Sequence, residues 1–146
     1  MRGRTKSLVF VSVQLLALAY LLLTGPLVSP HPLWVWLEIG GLFLGAWAVV
    51  TLKLPYLRVF PEVASNGRLV TSGPYRFIRH PMYGGGLVLA LGVALASSPA
   101  ALAPVLALVP FLLVKARYEE RLLAAADPSY VEYLARVRKR FFPGLL

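Results

Sequence analysis

The sequence predicts an all-α integral membrane bundle. It would have four transmembrane helices with both termini in the cytoplasm, a cytoplasmic loop between the second and third, and a short amphipathic helix near the C-terminus. Three observations predict it. Hydrophobic residues make up 58% of the 146-residue chain and the mean hydropathy is +0.71, which fits a membrane protein better than a soluble core of this size. Four apolar runs can be drawn, at about 8–23, 33–52, 83–97 and 100–114. All 15 lysines and arginines then fall on one side of a four-span arrangement.

That distribution orients the chain. Arg2, Arg4 and Lys6 precede the first run, and Lys53, Arg58, Arg68, Arg76 and Arg79 lie between the second and third. Lys115, Arg117, Arg121, Arg136, Arg138, Lys139 and Arg140 follow the fourth. The loops at 24–32 and around Ser98-Pro99 carry no Lys or Arg. The positive-inside rule therefore puts both termini and the central loop in the cytoplasm. It also explains the net charge of +9 without a nucleic-acid partner. The length allows one domain. The absence of cysteine excludes disulfides and thiolate chemistry, and two histidines with six carboxylates argue against a dedicated metal site.

Run one contains Gln14 and ends at Gly25-Pro26. A basic start before an apolar run also fits a signal peptide, but no small-residue cleavage site follows closely, so a retained helix is expected. Pro26, Pro30 and Pro32 make the first outer loop extended and stiff. Run two carries Trp34 and Trp36 at its outer end, as an interfacial aromatic belt does, and Gly40, Gly41 and Gly45 permit close approach of another helix. Glu38, about one turn below the tryptophans, either reaches the headgroups or faces the bundle interior.

Runs three and four are short, because fifteen helical residues cover only about 22 Å of a hydrocarbon core of roughly 30 Å. The Ser97-Ser98-Pro99 connection makes them a hairpin. Nothing from Lys115 to Ala126 breaks a helix, so the fourth is expected to run on from Ala100 to about Ala126. Asp127 is then an N-cap and Pro128 the first residue of a last helix. Tyr130, Tyr133, Leu134 and Val137 form its apolar stripe, facing the membrane or folded over a pocket.

Two polar clusters flank this hairpin. The first is Ser72-Gly73-Pro74-Tyr75-Arg76-Phe77-Ile78-Arg79-His80-Pro81-Met82-Tyr83-Gly84, and the second is Arg117-Tyr118-Glu119-Glu120-Arg121. Pro81 suits the first position of the third helix, which would leave the N–H groups of Met82, Tyr83 and Gly84 free to attract an anion beside Arg79 and His80. Gly84-Gly85-Gly86 would let a ligand or a helix reach the backbone. A basic interfacial loop that binds lipid phosphates has the same composition.

The order of the residues adds more. Gly73-x-Tyr75-x-x-x-Arg79-His80-Pro81-x-Tyr83-x-Gly85, a hairpin, Glu119-Glu120-x-x-Leu123, and then Tyr130-x-x-Tyr133-x-x-Arg136-Val137 resembles the isoprenylcysteine carboxyl methyltransferase and phospholipid N-methyltransferase superfamily. The resemblance covers residues 66–143. It departs at Ala126-Asp127, where the family often has Phe-Gly, and at Val137-Arg138-Lys139, where Val-Pro-Arg is usual.

The resemblance implies an integral membrane enzyme that moves methyl from S-adenosyl-L-methionine to a lipid-like or isoprenoid acceptor and leaves S-adenosyl-L-homocysteine. The cofactor pocket would take Tyr75, Arg79, His80, Pro81, Tyr83, Gly84, Gly85, Glu119 and Glu120. Arg79 and His80 suit the cofactor carboxylate, a glutamate its amino group or ribose, and Tyr83 its sulfonium or adenine. Adjacent helical residues point about 100° apart. With Lys115 at i,i+4 from Glu119, Glu119 is expected to hold Lys115 and Glu120 to face the cofactor. Arg76 would orient an anionic acceptor, and His80 would take a proton from an amine acceptor. An ionised carboxylate acceptor would need no base.

Two other readings stay open. NADPH-dependent membrane reductases of the sterol type resemble the same Arg-His-Pro-x-Tyr region, but tend to carry an acidic residue shortly after Tyr-x-Gly, where this chain has only glycines. A non-catalytic membrane scaffold would bind neither cofactor.

Overall fold

The computed structural model describes residues 2–26, 28–52 and 69–143. Within them every regular element is helical: α1 Arg2–Thr24, α2 Pro32–Leu52, α3 Pro81–Ser97, α4 Leu102–Ala126 and α5 Pro128–Arg136. One-turn 3-10 helices stand at Gly73–Arg76 and Pro99–Ala101. The second of these leads straight into α4, so the helical rod runs from Pro99 to Ala126 as the absence of breakers predicts. Pro110 lies within it. Residues 53–68, which carry the basic Lys53, Arg58 and Arg68, lie outside the described part.

Two helices, Pro32–Leu52 and Pro99–Ala126, are long and apolar enough to cross a membrane. The other two apolar helices are shorter, at Leu8–Leu21 and Pro81–Ser97. Seventeen residues of α3 reach about 25 Å at 1.5 Å per residue. Large apolar side chains stay exposed along α1 and α2, among them Leu16, Leu23, Trp36, Phe43 and Val50. Apolar surface on this scale marks a membrane or a protein interface.

Glycine decides the tightest packing. A Cβ on Gly41 would lie 2.4 Å from the Leu89 amide nitrogen and 2.6 Å from the Gly85 carbonyl oxygen, and one on Gly85 would lie 2.7 Å from the Gly41 carbonyl oxygen. The backbones of α2 and α3 therefore meet at this crossing with no side chain between them. A Cβ on Gly40 or Gly45 would meet open space, although the Gly45 backbone lies 2.7 Å from where a Cβ on Gly85 would be. Below the crossing, Leu21, Ala90, Val93, Ala94, Ala101 and Val105 join α1, α3 and α4 in one apolar cluster.

At the far end Glu38 is buried rather than interfacial, and its Oε2 accepts from the Ser29 amide at 3.2 Å. Gly92 makes room for it, since a Cβ there would lie 2.9 Å from the Glu38 Cγ.

At the other end α5 begins as expected, with the Asp127 side chain accepting from the Ser129 amide at 2.9 Å and Pro128 at the first position. Its buried Tyr130 and Tyr133 pack with Val137 against Leu69, Leu123 and Ala124. The apolar stripe thus folds over the end of α4 and the segment before α3. After α5 the chain turns back as an extended strap, residues 137–143, and buries Phe141 completely among Leu87, Leu108, Leu112 and Ala116.

Candidate active site

The first polar cluster of the sequence forms a tight turn. Gly73 has φ +56°, and a Cβ there would lie 2.5 Å from the Thr51 hydroxyl, so both conformation and space require glycine. The turn buries Tyr75 and Ile78. It is fastened to α5 by the Tyr133 hydroxyl, which donates to the Tyr75 carbonyl at 2.7 Å. Burial pushes the Tyr75 phenol up to about 12, so it keeps its proton.

Pro81 opens α3, as its missing N–H allows. Two of the three amides expected to be free at this helix mouth are engaged. Tyr83 and Gly84 donate to the His80 carbonyl at 3.0 and 3.1 Å. The preceding Arg79 and His80 amides donate to the Lys139 and Arg140 carbonyls at 2.9 and 2.8 Å. The strap thus engages the two amides just before the helix mouth.

Around that junction the two polar clusters meet. Arg79 donates to Glu120 at 2.8 Å and, through its other terminal nitrogen, to the Arg138 carbonyl at 2.7 Å. His80 Nε2 lies 3.3 Å from the same Glu120 oxygen and His80 Nδ1 lies 3.8 Å from Glu119. The Tyr83 hydroxyl sits 2.7 and 2.8 Å from the two Glu119 oxygens. Arg140 completes the group, with Nε 3.1 Å from one Glu120 oxygen and Nη2 3.0 Å from the other.

His80 and Tyr83 stack with ring centres 5.3 Å apart and planes 1° from parallel, and Phe141 meets both edge-on. The side chains of Arg79, His80, Glu119 and Glu120 are all at most 14% exposed. Beside them an open cleft of about 300 Å³ is lined by Arg117, Glu120, Arg121, Ala124, Leu134 and Arg140.

The arrangement brings Arg79 to Glu120, Tyr83 to Glu119 and His80 to both, and it places several other residues differently from expectation. Lys115 makes no close ion pair with Glu119, which still acts on it electrostatically; its ammonium donates to Gln14 at 2.9 Å. Glu120, expected to face a ligand, is already engaged by Arg79, His80 and Arg140, whereas Glu119 holds one hydroxyl and keeps more acceptor capacity. Gly84 and Gly85 serve packing: a Cβ on Gly84 would lie 2.4 Å from the Phe141 carbonyl oxygen, and Gly85 meets α2. Pro81 is buried and structural. Arg76 stays out of the cluster, exposed with its guanidinium 5.7 Å from the Phe77 ring centre.

Arg140 and Phe141 are the residues that sequence reasoning missed. The signal for them was the run Arg138-Lys139-Arg140-Phe141-Phe142-Pro143, too basic and too aromatic for an ordinary tail.

The donor set suits S-adenosylmethionine. A zwitterionic amino acid needs cations for its carboxylate and an anion for its ammonium, and the site has Arg79 and Arg140 beside Glu119. Among the described residues, the buried Tyr75 hydroxyl and Arg79 Nε have no hydrogen-bond partner, as does Glu38 Oε1 at the other end of the molecule. The aromatic trio supplies a face for an adenine or a sulfonium.

The chain is 37% identical over 121 residues to the cobalt-zinc-cadmium resistance protein CzcN of Cupriavidus metallidurans, a match covering 79% of this chain and 56% of that protein. It is 33% identical over 143 residues to the nickel-cobalt-cadmium resistance protein NccN of Alcaligenes xylosoxydans xylosoxydans, covering 94% and 62%. The chain thus spans less than two thirds of the length of either relative. The family description that fits is that of a phospholipid methyltransferase, over residues 33–126. Because that match runs from α2 through the whole of α4, across Arg79, His80, Tyr83 and both glutamates, the chain belongs to the phospholipid methyltransferase family.

Proposed function

We propose that this protein is an S-adenosylmethionine-dependent methyltransferase of the membrane, acting on a lipid-like acceptor. One observation carries the reading: a buried cluster of Arg79, His80, Tyr83, Glu119, Glu120 and Arg140 at the end of two apolar helices, next to a cleft that opens outward. In the four-span arrangement with both termini in the cytoplasm, the cofactor reaches this cluster from the cytoplasm and the acceptor reaches it from the bilayer.

When bound, the cofactor supplies a methyl carbon activated by a sulfonium. The protein supplies position and dryness. Glu120 fixes Arg79 and Arg140 as a pair of cations for the carboxylate. Glu119 offers acceptor oxygens for the amino group or ribose hydroxyls. The stacked His80 and Tyr83, closed by Phe141, form the aromatic wall. His80, set between both glutamates, holds or passes a proton where the acceptor arrives protonated.

The relatives are named for resistance to cobalt, zinc, nickel and cadmium. Those names describe a phenotype and leave the reaction open.

The test is calorimetric binding of S-adenosylhomocysteine to the detergent-purified protein, with His80→Ala and Glu119→Gln alongside. Saturable binding by the wild type is expected, weakened at least about tenfold in each folded variant, or 1.4 kcal/mol. Binding of NADPH in its place would favour the reductase. Binding of neither by folded protein would leave the scaffold.

A further inference from the structure

The strap, residues 137–143, closes the site that a cofactor would have to enter. Under it the side chains of Arg79, His80, Glu119 and Glu120 are at most 14% exposed. The open cleft beside them reaches Glu120 and Arg140, but Arg79, His80, Tyr83 and Glu119 do not line it.

What holds the strap down is largely the site itself. The Arg138 carbonyl accepts from the Arg79 guanidinium at 2.7 Å, and the Lys139 and Arg140 carbonyls accept from the Arg79 and His80 amides at 2.9 and 2.8 Å. The Arg140 guanidinium reaches Glu120 at 3.0 Å, and the Phe141 ring meets His80 and Tyr83 edge-on above its apolar bed. On the outer side Arg138, Lys139 and Pro143 are exposed, and among the described residues no helix follows α5. The strap starts at Val137, which is buried and whose amide donates to the Tyr133 carbonyl at 2.8 Å.

These contacts compete with a ligand. Arg79 has one terminal nitrogen on Glu120 and the other on the Arg138 carbonyl. A carboxylate is best held by a guanidinium edge with two parallel N–H donors, and the closed strap keeps both terminal nitrogens of Arg79 engaged.

We propose that the strap is a lid, hinged at Val137 and latched by Arg140 and Phe141, that lifts to admit the S-adenosyl cofactor and closes again over it. This rests on the methyltransferase reading. Lifting releases Arg79 from the Arg138 carbonyl and opens the aromatic wall. Closing returns Arg140 and Phe141 to the site with the cofactor beneath them. A segment held by a few hydrogen bonds, one ion pair and one ring opens locally without unfolding the helices, and movements of this kind gate entry and release in many enzymes.

The experiment uses the full chain in lipid nanodiscs. Calorimetry measures binding of S-adenosylhomocysteine, and rapid filtration of the radiolabelled compound gives its association and dissociation rates. Hydrogen exchange at the Arg79 and His80 amides reports the lid, because their partners are strap carbonyls. S-adenosylhomocysteine at about a hundred times its Kd is expected to slow that exchange by up to about a hundredfold. Phe141→Ala unseats the latch, and Phe141→Leu does so more mildly. Both should speed exchange in the free protein, and Phe141→Ala should raise association and dissociation rates together, each by at least about tenfold.

Loss of a cofactor contact alone raises only dissociation, and entry through the cleft leaves association unchanged. A wild-type association rate in a folded variant with faster exchange therefore overturns the lid. So does wild-type binding of S-adenosylhomocysteine that leaves the exchange unchanged or speeds it, a result that needs no variant to fold. Binding without protection removes the lid and keeps the methyltransferase reading, whereas no binding by folded protein removes both.

Discussion

Glu120 receives Arg79, His80 and Arg140 on its two oxygens, so one carboxylate joins α3, α4 and the strap. Arg79 and Glu120 are each more than nine-tenths buried at the side chain. Replacing Glu120 by Gln would leave two arginines without a counter-charge. The expected loss is about 3 kcal/mol, the low end for breaking a buried pair, because Arg140 is 26% exposed and can turn to water. Thermal unfolding in one detergent would measure it, and a drop smaller than that of Glu119→Gln would refute the ranking. The glutamate pair was legible in the sequence, but the division of labour between its members was not. Spacing shows that Glu119 and Lys115 are within reach of each other. It does not show that Tyr83 and Gln14, 36 and 101 residues away in the chain, offer each a better partner.

The crossing of α2 and α3 rests on two glycines among several. Gly41→Ala would drive a methyl into the Leu89 and Gly85 backbone, where no rotamer can relieve it. A loss of about 1–3 kcal/mol follows for such overpacking. Gly40→Ala, one residue away and facing open space, should be neutral or gain up to about 1 kcal/mol from helix propensity. Melting temperatures of the two variants in one detergent would check the contrast, and similar values would mean that the crossing is not this close. From the sequence all three glycines of α2 were equal candidates. Only the rotation of α2 about its axis, set by what packs against it, separates them. The same holds for Gly84, whose role depends on a strap that arrives from more than 50 residues later.

The four-span proposal would set the whole molecule in a membrane in one orientation. Two helices satisfy the length and hydropathy for crossing, and the one-sided placement of all 15 basic residues argues for four spans with the cluster in the cytoplasm. The chain has no cysteine, so single introduced cysteines report without background. Ser98→Cys and Lys139→Cys both fall at exposed positions. A membrane-impermeant maleimide is expected to label the first only from outside sealed cells and the second only from the cytoplasmic face of inverted vesicles. Labelling of both from one side would refute the four-span arrangement and the orientation of the site together.

The sequence by itself determined that the chain is helical and apolar, most of the places where its helices start and stop, and the two polar clusters that face each other across a hairpin. These follow from local properties: hydropathy over a window, proline and glycine at helix ends, and the cap at Asp127. Tertiary structure alone decided that Arg140 joins the cluster, that the strap engages the Arg79 and His80 amides just before α3, and that Lys115 turns to Gln14. Each of those outcomes is a competition for a partner between groups far apart in the chain. Such a competition is settled by the distances and burial that packing imposes, which no window of sequence contains.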